Sequence, residues 1–409
     1  MIRKIFFILL IVATSISCSA NKKTFSVSLK NPTTIDRTDE YISISLDEII
    51  KKYPDFNSKS FKVIFNEKEI PYQLENLDGK QFVSFIISLK PSEKSNVVFQ
   101  YGDNITSSDF KNETYAELSP KKGLIYFDGK FRGEVFESVP SFKVPSIHKD
   151  HDALFKYEGP GWESELVGYR LYLDWRNATD IFGKKLRKLV LKEVGIHDTV
   201  AKDDSYHNMQ DWGMDIFKVG SSLGIGSFGM WSNNKVNMVS VTDSVIYNLL
   251  KNGPIKSEFS INYYGWLVDK KKYDLNANIS INARCRLTKC ELTIDNAENL
   301  VTGLAKYEGT NFHKSNNLQG WNYIALYGKQ SLANDELGIA VLFNNENLIE
   351  LTEDNLSHVV KLKPINSKLK YYFTAAWVQE PNGIKNENQF LNYLDNLLIK
   401  LNNPLVIEL

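Results

Sequence analysis

The chain has 409 residues, and its 49 basic and 49 acidic side chains give a formal net charge of zero. That balance, with both signs mixed along the chain, argues against a nucleic-acid surface, an acidic-membrane surface and intrinsic disorder. A hydrophobic fraction of 43% over this length exceeds what one core usually absorbs, which predicts two packed units.

Met1-Ile2-Arg3-Lys4 precedes an apolar run from Ile5 to Ala13. This is a basic start followed by a stretch too short to span a bilayer, the pattern of a secretory signal. Ser15-Ile16-Ser17 before Cys18 has the form of a lipobox, although Ser15 stands where Leu is commonest. Residues 1–18 therefore read as a signal peptide whose Cys18 takes the lipid, with 19–24 as a polar tether. The alternative is a plain signal peptide cut nearby. The expectation is an exported protein of the periplasm or outer membrane, lipid-anchored, whose mature chain does not cross the bilayer.

Residues 25–105 read as an N-terminal β unit. Short alternating runs at Thr24–Leu29, Tyr41–Leu46, Phe61–Phe65, Phe82–Leu89 and Asn96–Tyr101 are separated by turn residues, with one helical hint at Leu46–Lys52. A polar stretch reaching residue 125 reads as a linker or crossover. Residues 126–409 then predict a large β-sandwich that carries the site. Gly168–Asp174 alternates, with Arg170, Tyr172 and Asp174 on one face and Tyr169, Leu171 and Leu173 on the other. The pattern continues at Lys256–Val268, Asn278–Arg284, Cys290–Asn296, Tyr323–Tyr327, Leu337–Phe343, Val359–Leu362 and Lys370–Trp377. A helix is expected over Asn388–Leu401 from its apolar stripe. Cys285 and Cys290 flank a hairpin mouth and are either bridged or two free thiols.

Two polar-aromatic stretches carry most of the chemistry. One runs from Tyr157 through Glu158, Trp162, Glu163 and Glu165 to Tyr169, Arg170 and Asp174-Trp175-Arg176; the other is Tyr206-His207-Asn208-Met209-Gln210-Asp211-Trp212-Gly213-Met214-Asp215, then Lys218. Carboxylates, a His, a Tyr and an Arg among indoles suit a sugar, whose C–H face stacks on Trp while its hydroxyls meet carboxylates. On a helix, His207, Asp211 and Asp215 would share a face with Lys218 close by, and a carboxylate-oriented His is a common general base. Arg170 either holds a substrate carboxylate or pairs with Asp174. Glu163 and Glu165, with Asp211 or Asp215, offer the carboxylate pair that glycoside hydrolysis needs. His207, Tyr206, Arg170, Glu165 and Asp211 are the catalytic candidates. Trp162, Glu163, Tyr169, Asn208, Trp212, Asp215 and Lys218 are the substrate-binding candidates.

Two further motifs weigh less. Gly224-Ile225-Gly226-Ser227-Phe228-Gly229 spells a dinucleotide fingerprint but runs into a turn rather than a helix. It reads as a place where backbone passes close to something, a ligand included. His148, Asp150, His151 and Asp152 crowd into five residues and leave a metal open as an alternative to a solvated turn. No cofactor is otherwise expected.

At Trp162-Glu163-Ser164-Glu165 with Tyr169-Arg170, and at Tyr206 to Asp215 leading into Lys218-Val219-Gly220-Ser221-Ser222-Leu223-Gly224, the chain resembles domain of unknown function 4861. That is a family of exported bacterial proteins often encoded with polysaccharide-degradation genes. The resemblance covers most of residues 25–405. Tyr157-Glu158-Gly159-Pro160-Gly161 departs from the acidic run expected before Trp162. The resemblance implies a carbohydrate context and a mainly-β, large antiparallel β-sandwich similar to the galactose-mutarotase supersandwich. It supplies no reaction. The leading reading is a lipoprotein that degrades uronic-acid-containing poly- or oligosaccharides as a polysaccharide lyase acting by β-elimination. A glycoside hydrolase and a non-catalytic glycan-binding lipoprotein are the alternatives.

Overall fold

In the computed structural model, residues 22–77, 79–195 and 205–409 are described. Their regular structure is almost entirely antiparallel sheet, the mainly-β sandwich expected. In the N-terminal unit a five-stranded sheet faces a three-stranded one (Arg37–Ser45, Lys80–Leu89 and Tyr72–Leu77). Alternation drives the packing: Phe25, Val27 and Leu29 point into the core while Thr24, Ser26 and Lys30 point out. Val97 and Phe99 continue it from the neighbouring strand of the same sheet, and Phe85 closes it from the facing sheet. The helix Leu46–Lys52 forms where its pattern appears, with Asp47 and Glu48 in the first turn and Lys51 and Lys52 in the last, matching the helix dipole.

Two boundaries differ from expectation. Val406–Glu408 pairs with Lys23–Lys30, so the end of the chain belongs to the first unit, not to a 126–409 sandwich. Three residues carry no usable periodicity, and main-chain pairing at an open sheet edge decides their place. Thr114–Glu117, inside the stretch read as a linker, is an edge strand of the larger unit and pairs with Gly161–Ser164.

The larger unit holds a nine-stranded sheet and two five-stranded sheets around one apolar core that includes Trp162, Tyr169, Phe259, Ile339 and Phe373. One five-stranded sheet runs in the order Gly213–Asp215, Thr179–Lys184, Gly168–Leu171, Gly161–Ser164, Thr114–Glu117 and positions the site. The expected C-terminal helix spans Glu387–Asn402. It is capped by the Asn386 side chain and buries Phe390, Leu394 and Leu398. The two units are joined by buried polar bonds: Gln73 accepts from the Ile255 and Lys256 amides, and Lys256 reaches Glu75 at 2.9 Å.

Cys285 and Cys290 are free thiols. Cys290 is buried in its strand facing Ile279 and Tyr371, so its neighbours are ladder partners rather than a second thiol. The glycine-rich run approaches protein, not a ligand. A Cβ on Gly226 (φ +67°) would meet the Phe373 ring at 2.4 Å, and one on Gly224 (φ +56°) would meet the Thr179 carbonyl at 2.2 Å.

Candidate functional site

Strand alternation sorts the first polar-aromatic stretch onto two faces. Trp162 and Tyr169 turn inward: the Trp162 indole donates to Thr288 and the Tyr169 hydroxyl to the Arg286 carbonyl, both within the core. That burial removes them as substrate contacts. On the opposite face the register sets Arg170 beside Asp180, and aligns Glu163, Gly168, Phe182 and Asp215 in one row across four strands. Tyr157, Val190, Leu191 and Tyr206 pack over the middle of that face against Phe182.

Arg170 is the hub, 2% exposed. Its Nε and Nη2 donate to Asp180 at 3.2 and 2.9 Å, and Nη2 also to Asp215 at 2.6 Å and to the Tyr172 hydroxyl at 2.7 Å. Its Nη1 faces the Tyr206 hydroxyl at 3.2 Å and Glu158 at 3.5 Å. Every guanidinium nitrogen is thus engaged by protein, and the partners are Asp180 and Asp215 rather than Asp174. Asp174 instead holds Arg176, which also binds Glu158 at 3.0 Å and Asp150 at 2.6 Å. The Arg176 guanidinium stacks 3.8 Å from the centre of the Tyr172 ring. Backbone strain gathers here: His151, Ala153, Glu158 and Asn177 all have positive φ, an arrangement that persists where surrounding contacts over-determine it and that clusters at functional sites.

His207 is the open end of this network. It closes a short 3-10 turn, Ser205–His207, with its side chain 54% exposed, Nε2 3.6 Å from Asp215 and its ring 4.2 Å from that of Tyr206. Burial, and then the Arg170 charge, lower its pKa and favour the neutral imidazole. Burial pushes Asp215 well above the usual carboxylate range; Arg170 opposes this and neighbouring Asp180 adds to it. Burial also works to raise Glu158, but Arg170 and Arg176 together hold it below its ordinary value.

The remaining candidates divide. Asn208 and Asp211 are exposed in the turn after His207, and Trp212 is half-buried against Phe182. The imagined helix through His207, Asp211 and Asp215 does not form: a turn and then the strand Gly213–Asp215 intervene, and Asp215 reaches His207 from that strand. Lys218 has an exposed side chain, and the Tyr307 hydroxyl brackets its backbone. Glu163 is fully buried, paired with Lys184 and accepting from the Val190 and Leu191 amides, so it meets no substrate. Glu165 lies in the turn beyond the Glu163 row, held by Arg187 and the Arg284 amide, at the far end of the face from Arg170. It is not brought together with His207. Cys18 lies outside the described residues.

The His148–Asp152 segment splits in two. His148 Nδ1 lies 2.8 Å from Asp152, whose carboxylate also accepts from the Lys149 and Leu154 amides, a bracing role. Asp150 and His151 meet Glu158 instead, with ligand-type atoms within 4.8 Å of one another. Arg176 already supplies the cation that these carboxylates share, which disfavours a metal there. Asp180 is the central residue that sequence reasoning missed. Its alternation in Thr179–Lys184 was readable, but which strand lay beside it was not.

The family profile matches residues 29–407. The chain belongs to the DUF4861 family, described as a domain of unknown function. A DUF4861 chain of this kind is similar to uncharacterized protein P7 of Formosa agariphila, 26% identical over 225 residues, covering 52% of this chain and 55% of that protein. Among solved structures it is similar to a glycosyl hydrolase family 38 protein and an alpha-mannosidase, both from Enterococcus faecalis. Each shows 9% identity and a TM-score of 0.46, over 94% of this chain and 47% and 46% of theirs. The chain thus spans about half the length of these relatives.

Proposed function

We propose that this DUF4861 protein is an exported carbohydrate-active enzyme that degrades uronic-acid-containing glycans by β-elimination, with His207 as the base. The observation that carries this reading is an exposed imidazole, held toward its neutral form and backed by the buried Asp215–Arg170–Asp180 network. A neutral imidazole accepts a proton near pH 7. In the elimination, His207 takes the C5 proton, the freed electron pair forms the C4–C5 double bond, and the C4 glycosidic oxygen leaves with a proton from water or Tyr206. Arg170 does not neutralise the substrate carboxylate in this reading, because its nitrogens are already engaged. It positions Asp215 and Tyr206.

A screen on uronic-acid glycans, read by the ultraviolet absorbance of unsaturated products, tests the reading. His207→Ala should lower the rate by about 10²–10⁴-fold, as loss of a general base does. A second reading, glycoside hydrolysis, is favoured by one observation: Glu158 and Asp215 share Arg170 yet are driven in opposite directions, as an acid and base pair would be. New reducing ends without absorbance would select it. Binding without turnover, weakened but not abolished in His207→Ala, would select a non-catalytic glycan-binding protein. Export and anchoring through Cys18 belong to the same proposal; Cys18→Ser should release the protein from membranes with its fold intact.

A further inference from the structure

Beside the arginine network lies a separate groove of about 600 Å³, whose wall includes Trp175, Asn177, His148, Lys143, Lys149 and Asp174. It abuts the candidate site through Asp174, whose carboxylate binds Arg176. Asp174 also accepts from the Arg176 backbone amide at 2.8 Å, locking the turn that presents Trp175 outward. Trp175 is 49% exposed. A rigidly held, exposed indole on a groove wall is an uncommon use of a residue that folding ordinarily buries.

Two polar groups in the same wall are left wanting partners. The Asn177 side chain is 1% exposed and takes the Tyr263 hydroxyl on Oδ1 at 2.6 Å, while its Nδ2 has no hydrogen-bond partner among the described residues. The His148 side chain is 4% exposed and is fixed through Nδ1 on Asp152, and its Nε2 has no such partner either. Both atoms are sealed from solvent, so Asn177 and His148 stiffen the wall from behind while Trp175 and the lysines face the groove. Charge marks the groove. Asp174 is paired with Arg176 and Asp243 with Lys272, whereas Lys143 and Lys149 have no acidic partner among the described residues. These two lysines are left for an anion, in contrast to the site arginines, which are saturated with carboxylates.

We propose that this groove is a binding subsite for an acidic sugar unit, with Trp175 stacking on the ring and Lys143 and Lys149 taking its carboxylate or sulfate ester. It deepens the carbohydrate reading and rests on it, moving recognition of the anionic group from Arg170 to this groove. The test is binding of the full chain to an array of uronate-bearing, sulfate-ester-bearing and neutral oligosaccharides, followed by titration of the best ligand. Trp175→Ala should weaken binding of that ligand on the order of tenfold, the loss of one stacked ring. Lys143→Ser/Lys149→Ser, at exposed positions where folding is safe, should weaken anionic ligands and flatten their salt dependence, while leaving neutral ones unchanged. Preference for uronate over sulfate ester identifies the anion. Unchanged affinity in both variants, or no array binding by the wild type, overturns the subsite. The outcome separates from that of the His207 reading, because His207→Ala should lose turnover while keeping the groove-dependent binding.

Discussion

Of the buried ion-pair clusters on one face of one sheet, the two at its opposite ends finish differently. At one end Lys184 and Glu163 are both 0% exposed; the carboxylate takes the Val190 and Leu191 amides and the ammonium takes the Ser164 and Lys188 carbonyls. One base meets one acid, and both groups are satisfied by fixed neighbours. At the other end two arginines, 170 and 176, serve five carboxylates: Asp150, Glu158, Asp174, Asp180 and Asp215. That cluster opens to solvent at His207, includes the strained backbone of Glu158, and drives its carboxyl groups in opposite directions. A closed, balanced pair specifies structure. An unbalanced network with an exposed titratable end stores electrostatic work that chemistry can use.

Breaking the closed end should have the largest effect on folding. Lys184→Met leaves Glu163 buried without its cation and should cost about 3–5 kcal/mol in urea denaturation. Adding Glu163→Gln should restore much of that, since no buried charge then lacks a partner. A small loss for the single variant would show that the pair is not what seals this end. At the open end, Arg170→Lys should cost about 2–3 kcal/mol, because an ammonium cannot reproduce the fork onto Asp180 and Asp215. Since Arg170 is engaged by protein, its loss should slow turnover of an acidic glycan and of the carboxyl-reduced counterpart equally. A loss confined to the acidic substrate would return Arg170 to substrate binding.

Finer changes sharpen the contrast. Glu158→Gln removes a single charge from the cluster and should lower stability by about 1 kcal/mol, with a visible shift in the pH profile of activity. The smallest effect concerns pH. His207 has a folded pKa below its unfolded one, so the unfolded chain binds more protons as pH falls through the ordinary imidazole range. Stability should therefore decline from neutral pH toward the folded-state pKa, and His207→Ala should flatten that slope. Parallel denaturation curves for wild type and variant across this window, with identical slopes, would remove the depressed pKa.

Much of the architecture was legible because strand alternation is local. Phe61–Phe65, Lys256–Val268 and the helix Leu46–Lys52 appear where their own patterns set them, and the density of charge and aromatics between residues 157 and 218 located the network. Trp162 and Tyr169 show the limit. Alternation separates them from Arg170, but it does not say which face meets the core and which is free. The sequence alone determined the β class, the alternating faces and the two polar-aromatic stretches. It took the folded sheet to set Arg170 against Asp180 and Asp215 rather than Asp174, and to put Glu165 apart from His207. Those partners come from strand neighbours distant in the chain, and no local periodicity encodes which strands lie side by side.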